Sequence, residues 1–133
     1  VAFIDLDGFK QINDRYGHKT GDEFLQAIGQ RLQEVIRDND VLGRLGGDEF
    51  IIATIDASND RRAVDAFKTR LSALLRGRYD LSAAEIDYSG ASIGMISVDP
   101  ALSTPDSAVR DADAAMYEDK SRRRQSQACG HPL

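Results

Sequence analysis

Two short β-rich runs, Val41 to Leu45 and Glu49 to Ile55, meet at Gly46-Gly47-Asp48. That junction constrains the fold more than any other feature of the chain. Glycines between β-rich runs are a hairpin signal, because they supply positive φ at little steric cost. A hairpin favours a largely antiparallel sheet. It also carries two carboxylates, Asp48 and Glu49, at a turn whose backbone can approach a ligand closely.

The rest of the chain supplies partners for that hairpin. Val1 to Leu6 reads as a buried strand with Asp5 and Asp7 at its C-terminal end. Phe9 to Gly17, broken by Asn13, Asp14 and Gly17, is a short helix or an ordered loop. Thr20-Gly21-Asp22-Glu23 has the form of a capping box. Behind it Phe24, Leu25, Ile28, Leu32, Val35 and Ile36 recur at helical spacing, which predicts a helix to about Asp38. Val64, Phe67, Leu71, Leu74 and Leu75 mark a second amphipathic helix stopped by Gly77. Ile86 to Val98 reads as one long strand. Thr104-Pro105-Asp106 opens a last helix with a buried stripe of Val109, Ala112 and Met116. The order is strand, helix, hairpin, helix, strand, helix. It predicts an α/β fold, an antiparallel-rich central sheet flanked by helices, of the ferredoxin-like or polymerase-palm type. Residues 1–124 form the expected domain, and 125–133 a polar tail; fraying is expected from about Arg122.

Composition narrows the class. A chain of 133 residues suits one core, and 41% hydrophobic with 29% charged residues is an ordinary globular balance. A net charge of -5 speaks against a nucleic-acid partner, which would call for a basic stripe. It leaves room for a nucleotide, which a few local cations and a metal can bind. The single cysteine, Cys129, has no internal partner, which fits a reducing, cytoplasmic setting. No apolar run is long enough to span a membrane, although a longer parent protein could be membrane-attached. The opening Val1-Ala2-Phe3-Ile4 has the look of a piece cut from such a parent.

Carboxylates at a hairpin turn, with Asp5 at an adjacent strand end, can gather around a hard cation. Magnesium takes oxygen ligands, few from protein and the rest from water and phosphate. Phosphoryl transfer needs such an ion, together with a base or polariser near the attacking hydroxyl. The turn alone reads equally well as a surface hairpin with solvated acids.

Three blocks in order decide between these readings. The first runs Phe3-Ile4-Asp5-Leu6-Asp7-Gly8-Phe9-Lys10-Gln11-Ile12-Asn13-Asp14-Arg15-Tyr16-Gly17-His18, followed by Gly21-Asp22. The second is Gly46-Gly47-Asp48-Glu49-Phe50. The third is Asp111-Ala112-Asp113-Ala114-Ala115-Met116-Tyr117 with Lys120 and Arg124. Together they resemble a GGDEF domain, the nucleotidyl cyclase that condenses two GTP into cyclic di-GMP, over nearly the whole chain. The helical segment that usually precedes the first strand is absent. The last block carries Glu118-Asp119 before Lys120 and Ser121-Arg122-Arg123-Arg124 after it, where small residues, glycine and asparagine are common.

The resemblance implies roles. Asp5, Asp48 and the Leu6 carbonyl would hold Mg2+, or Mn2+ in its place. Glu49 would bind metal or help deprotonate the 3′ hydroxyl. Asn13 and Asp22 would read guanine, whose neighbouring N–H donors suit a carboxylate. Lys10, Lys120 and Arg124 would meet the phosphates, with backbone near Gly8, Phe9, Gly46 and Gly47. Arg37 and Asp40 match the family's inhibitory RxxD pair for the product. Catalysis would need a homodimer, and the parent protein an upstream sensory domain. Taken singly, Asp22 reads as a first-turn acid, Asn13 as a turn residue, Arg122 to Arg124 as a solvated tail, and Arg37 to Asp40 as a helix end. His18 reads as structural, and Phe9 and Ile12 as core. Competing functions are a degenerate domain that senses GTP or cyclic di-GMP, and an ATP-specific cyclase. The complete set of acids opposes the first and Asp22 the second.

Overall fold

Antiparallel pairing builds one sheet from β2 (Val41–Arg44), β3 (Glu49–Ala53), β1 (Ala2–Asp5) and β6 (Ser92–Met95), in that order. The helices are α1 (Phe9–Tyr16), α2 (His18–Val35), α3 (Arg61–Leu75) and α4 (Pro105–Cys129). A separate hairpin pairs β4 (Gly77–Asp80) with β5 (Glu85–Tyr88). The computed structural model describes residues 1–54, 61–99 and 101–129. Ile55, the expected end of the third strand, lies outside the described residues.

The period-two alternation of β1 decides which side chains meet which helix. Ala2, Ile4 and Leu6 enter the main core with Phe50, Ile52 and Ile93, under Phe24, Ile28 and Leu32 of α2 and Leu71 and Leu75 of α3. Register agrees, since Ile4 lies opposite both Phe50 and Ile93. Phe3 points the other way and packs on Ala112 and Met116 of α4. Helix α4 lies so close to β6 that a Cβ on Gly94 would stand 2.1 Å from the Met116 nitrogen and 2.3 Å from the Ala112 carbonyl oxygen. Glycine is required there for contact, not for conformation.

Several expectations are corrected. The capping box at Thr20 does not form: α2 starts earlier, at His18, and Thr20 is buried within its first turn. Gly17, at φ 93°, reverses the chain between α1 and α2, and its N–H donates to the Asn13 carbonyl at 2.8 Å. Glu23 instead accepts the Ser82 N–H at 2.9 Å, a bond that holds its carboxyl below the usual range. The reciprocal cap occurs at α4, where the Ser107 N–H donates to Thr104 Oγ1 and the Thr104 N–H to Ser107 Oγ.

The long strand over 86–98 is two strands in two sheets, parted near Gly90 at φ 120°. Tyr79 and Tyr88 pack edge-on against Phe24, which anchors the β4–β5 hairpin to α2. Helix α2 ends at Val35, where Ile36 turns extended, and not at Asp38. Helix α4 continues through Arg122 to Cys129, where fraying was expected. Gly46 and Gly47 do not take positive φ; the glycines that do are Gly8, Gly17, Gly77 and Gly90 among the described residues. The hairpin turn is held instead by the Leu45 N–H on the Glu49 carbonyl, 2.9 Å, and by the Arg44 guanidinium on the Gly46 and Gly47 carbonyls.

Candidate active site

Alternation along β1 places Asp5 on the same face as Phe3, toward α4. Residues four apart on a helix share a face, so Ala112, Met116 and Lys120 form one stripe. The first two pack on Phe3, and the third reaches Asp5: Lys120 Nζ lies 3.0 Å from Asp5 Oδ2 and 3.9 Å from Asp7 Oδ1. Asp5 is 8% exposed, and its other oxygen, Oδ1, is buried without a hydrogen-bond partner among the described residues.

The hairpin turn brings the other acids. Register sets Glu49 opposite Asp5, and the Leu6 N–H donates to the Asp48 carbonyl at 3.0 Å, which ties the turn to the end of β1. Burial pushes the Asp48 carboxyl up, and the nearby Asp5 carboxylate adds to it, with Lys120 partly offsetting both. Glu49 is also raised, by burial first and then by Asp48, Asp5 and Asp113. The acids are crowded together with less positive charge than they need.

Past Asp7 the chain turns through Gly8, whose φ of 75° and ψ of 11° put it in the left-handed region as N-cap of α1. The Phe9 N–H reaches the Leu6 carbonyl at 3.3 Å. The result is a cavity of about 370 Å³ lined by Leu6, Gly8, Phe9, Lys10, Asp48, Lys120 and Arg124 among the expected residues. Asp7, Gln11 and Arg123 also line it, and sequence reasoning gave none of them a role. Asp7 was visible as the second acid at the strand end. Arg123 was not, because nothing in the run of three arginines says which one turns inward.

Other expected residues lie apart. Asn13 on α1 and Asp22 on α2 lie outside the cavity lining. The Asn13 carboxamide occupies the place a Cβ on Gly21 would take, 1.8 Å from Oδ1, and that oxygen is buried without a partner among the described residues. Gly46 and Gly47 stay at the exposed tip. Arg37 and Asp40 stand elsewhere: the Arg37 N–H donates to Asp40 Oδ2 at 2.7 Å, and both line a separate cavity of about 450 Å³ with Arg70 and Phe67.

Among the described residues no three His, Cys, Asp or Glu side chains form a ready-made metal cage. The donor set nevertheless fits a hard ion. Asp5 has a buried oxygen without a partner among the described residues, Asp48 is pushed up by burial and by the Asp5 charge, and a carbonyl such as that of Leu6 keeps a second lone pair.

A family profile described as "Diguanylate cyclase, GGDEF domain" matches residues 1–126. The chain belongs to the GGDEF family. The Escherichia coli K12 protein "Diguanylate cyclase DgcP" is 42% identical over 132 residues, covering 99% of this chain and 38% of that protein. This GGDEF chain therefore spans well under half of that relative. A sensory box/GGDEF family protein from Caulobacter crescentus superposes with a TM-score of 0.79 at 36% identity, covering 91% of this chain and 77% of that one. The GGDEF domain of DgcB from the same organism, solved in complex with c-di-GMP, gives 0.78 at 25% identity, covering 90% and 68%. These neighbours bear out the palm-type α/β fold with its antiparallel sheet. No helix among the described residues is long and apolar enough to cross a membrane.

Proposed function

We propose that this chain is the catalytic domain of a diguanylate cyclase, condensing two GTP into cyclic di-GMP with release of two pyrophosphates. The observation that carries this reading is the crowded acid pair, Asp5 and Asp48, with Lys120 bound to the buried Asp5 and both Lys120 and Asp48 lining a polar cavity. Asp5, Asp48, Glu49 and the Leu6 carbonyl would hold Mg2+ or Mn2+, which when bound neutralises phosphate charge. Lys10, Lys120 and Arg124, with the backbone at Gly8 and Phe9, would bind the triphosphate, and Gly46 and Gly47 leave backbone open to it. Asn13 and Asp22 would read the guanine edge.

In the reaction the 3′ oxygen of one GTP forms a bond to the α-phosphorus of the other. The bond from that phosphorus to the pyrophosphate oxygen breaks, and Glu49 accepts the hydroxyl proton. Its raised pKa suits that transfer better than an ordinary carboxylate would. One domain holds one GTP, so two copies must face each other, and the reading implies a homodimer at least in transit. GTP supply places the domain in the cytoplasm, with the catalytic unit at 1–124, a tail at 125–133 and a sensory domain upstream in a longer parent. Arg37 and Asp40 would form the product site, since an arginine fork and a carboxylate suit phosphate and guanine donors.

Incubation of the purified chain with GTP and Mg2+, followed by chromatography, tests the reading. Cyclic di-GMP should appear at a rate rising faster than linearly with protein concentration. Added cyclic di-GMP should slow the parent chain but not Arg37→Ala. A chain that binds GTP and leaves it intact at every concentration is a nucleotide sensor, and the proposal fails.

A further inference from the structure

The stripe on α4 that begins with Ala112, Met116 and Lys120 continues to Arg123, not Arg124. Arg123 Nε lies 3.0 Å from Asp7 Oδ2, with the two side chains 27% and 22% exposed. Its Nη2 reaches the Ser89 carbonyl at 3.4 Å, and the guanidinium lies against Gly90, where a Cβ would come within 3.1 Å of Nη2. Asp7 is itself fixed: Ser92 Oγ, on a fully buried residue of β6, is 2.9 and 2.8 Å from its two oxygens. Arg123 is thus braced from the β1–α1 turn and from the β5–β6 link, while it lines the same cavity as Lys10, Lys120 and Arg124.

We propose that Arg123 is a phosphate-binding residue of this cavity, held ready for the nucleotide by Asp7. The inference rests on the GTP reading above and adds a residue to it. A guanidinium offers more N–H donors than the two bonds to Asp7 and Ser89 use, in a planar fork that matches phosphate oxygens. Lys10 and Arg124 are exposed, so they lose side-chain freedom when they meet a phosphate; Arg123 has lost much of that freedom beforehand. Asp7 lowers the net charge of the pair but fixes the direction of the fork. Pre-organisation at one cation and mobility at the others divides the work: Arg123 sets where the phosphate chain lies, and the flexible cations close on it.

The competing account is a purely structural clamp that ties α4 to the sheet. Calorimetry of the 133-residue chain with inorganic pyrophosphate and with GTP, in Mg2+ buffer, separates the two. Guanosine is followed in parallel by ligand-observed NMR. Arg123→Ala should weaken pyrophosphate and GTP roughly ten- to a hundredfold, the range for lost charge-assisted bonds, with guanosine within about twofold of the parent. Arg123→Lys should recover part of the pyrophosphate affinity, because it restores charge without the fork. Unchanged pyrophosphate affinity in Arg123→Ala overturns the proposal. So does an equal loss for guanosine with a lowered Tm, the mark of a clamp. If the parent binds neither GTP nor pyrophosphate, the cyclase reading itself falls, which the parent measurement alone reveals.

Discussion

One face of β1 puts Ala2, Ile4 and Leu6 into a dry core beneath α2 and α3, while the other begins with Phe3 on α4 and ends with Asp5 among ions. The first face satisfies itself: its members are nearly inaccessible and apolar, and aromatic edges close the gap between α2 and the β4–β5 hairpin. The second is left incomplete. It holds a buried carboxylate oxygen without a partner among the described residues, and two acids, Asp48 and Glu49, pushed up by burial first and then by neighbouring carboxylates, Asp5 foremost for Asp48 and Asp48 for Glu49. Folding alone does not settle that end of the sheet. A ligand carrying positive charge on one side and phosphate on the other would.

The sharpest way to break this comparison is to remove one residue from each face. Asp5→Ala or Asp48→Ala should lower cyclase turnover about a thousandfold or more, the loss expected when several kcal/mol of charge stabilisation disappear. The melting temperature of Asp48→Ala should not fall, because burial and the nearby Asp5 carboxylate disfavour its charge in the unliganded fold, whereas Asp5→Ala also breaks the ion pair with Lys120. Leu32→Ala, at a fully buried position under the sheet, should do the reverse. It should cost about 2–5 kcal/mol of stability in denaturant unfolding, with turnover per folded molecule nearly intact. If Asp48→Ala unfolds as readily as Leu32→Ala, the two faces are not distinct in the way described.

A single residue can join the two faces. Gly94 sits where β6 meets the backbone of α4, and the atoms a Cβ would strike are main-chain atoms that cannot rotate away. Gly94→Ala must lift α4 off the sheet, and Lys120 leaves Asp5 with it. Unfolding should show a loss of about 1–3 kcal/mol or more, and activity should drop at least about tenfold through the misplaced Lys120. An unchanged chain by both measures would mean that α4 does not set the site.

The dry face was the legible one. Phe24, Ile28 and Leu32, and then Leu71 and Leu75, fall at helical spacing and are all buried, because an apolar stripe has one stable destination. The last helix, its Thr104 cap and the glycine-turn hairpin were legible for similar local reasons. Most of what failed was decided at longer range, the helix start before Thr20 being the local exception. Thr20 has the chemistry of a cap, but Gly17 starts the helix sooner and draws the threonine inside. Strand β4 offers one buried apolar residue, Tyr79, too little for a periodic signal. The run from Ile86 to Val98 is apolar enough for one strand, and only its two different partners reveal the break. At the site, resemblance named Asp5, Asp48, Glu49, Lys10, Asn13, Asp22, Lys120 and Arg124, and the cavity lining gathers Asp48, Lys10, Lys120 and Arg124, while Asp5 is buried against Lys120, Glu49 lies opposite Asp5 in register, and Asn13 and Asp22 stand apart. Asp7 with Arg123 and Ser92 escaped, since their pairing spans the whole chain and leaves no trace in local spacing.

The smallest effect is the most particular to the incomplete face. In metal-free buffer Asp48→Asn should raise stability slightly, although it removes an acid proposed to hold the metal. The sign follows from direction. Asp48 and Glu49 both titrate above the ordinary carboxylate range, so protons bind the folded chain more tightly than the unfolded one. The stability this represents is fully present below the unfolded values, near pH 4, and is lost as pH rises through the folded ones. Near pH 7 the parent therefore carries repulsion among Asp5, Asp48 and Glu49 that the amide removes, and Glu49, raised partly by Asp48, should relax toward its usual value. Asp48 is only partly buried, so solvent screening keeps the gain to about 1–3 °C in Tm. Thermal melts of the parent and Asp48→Asn, with a chelator present, should differ most near pH 7. The two should converge as the pH falls below the unfolded carboxylate values, about 4. A gap that widens on acidification, or a variant less stable than its parent near neutrality, would show that Asp48 makes a contact in this fold that outweighs its repulsion from Asp5 and Glu49.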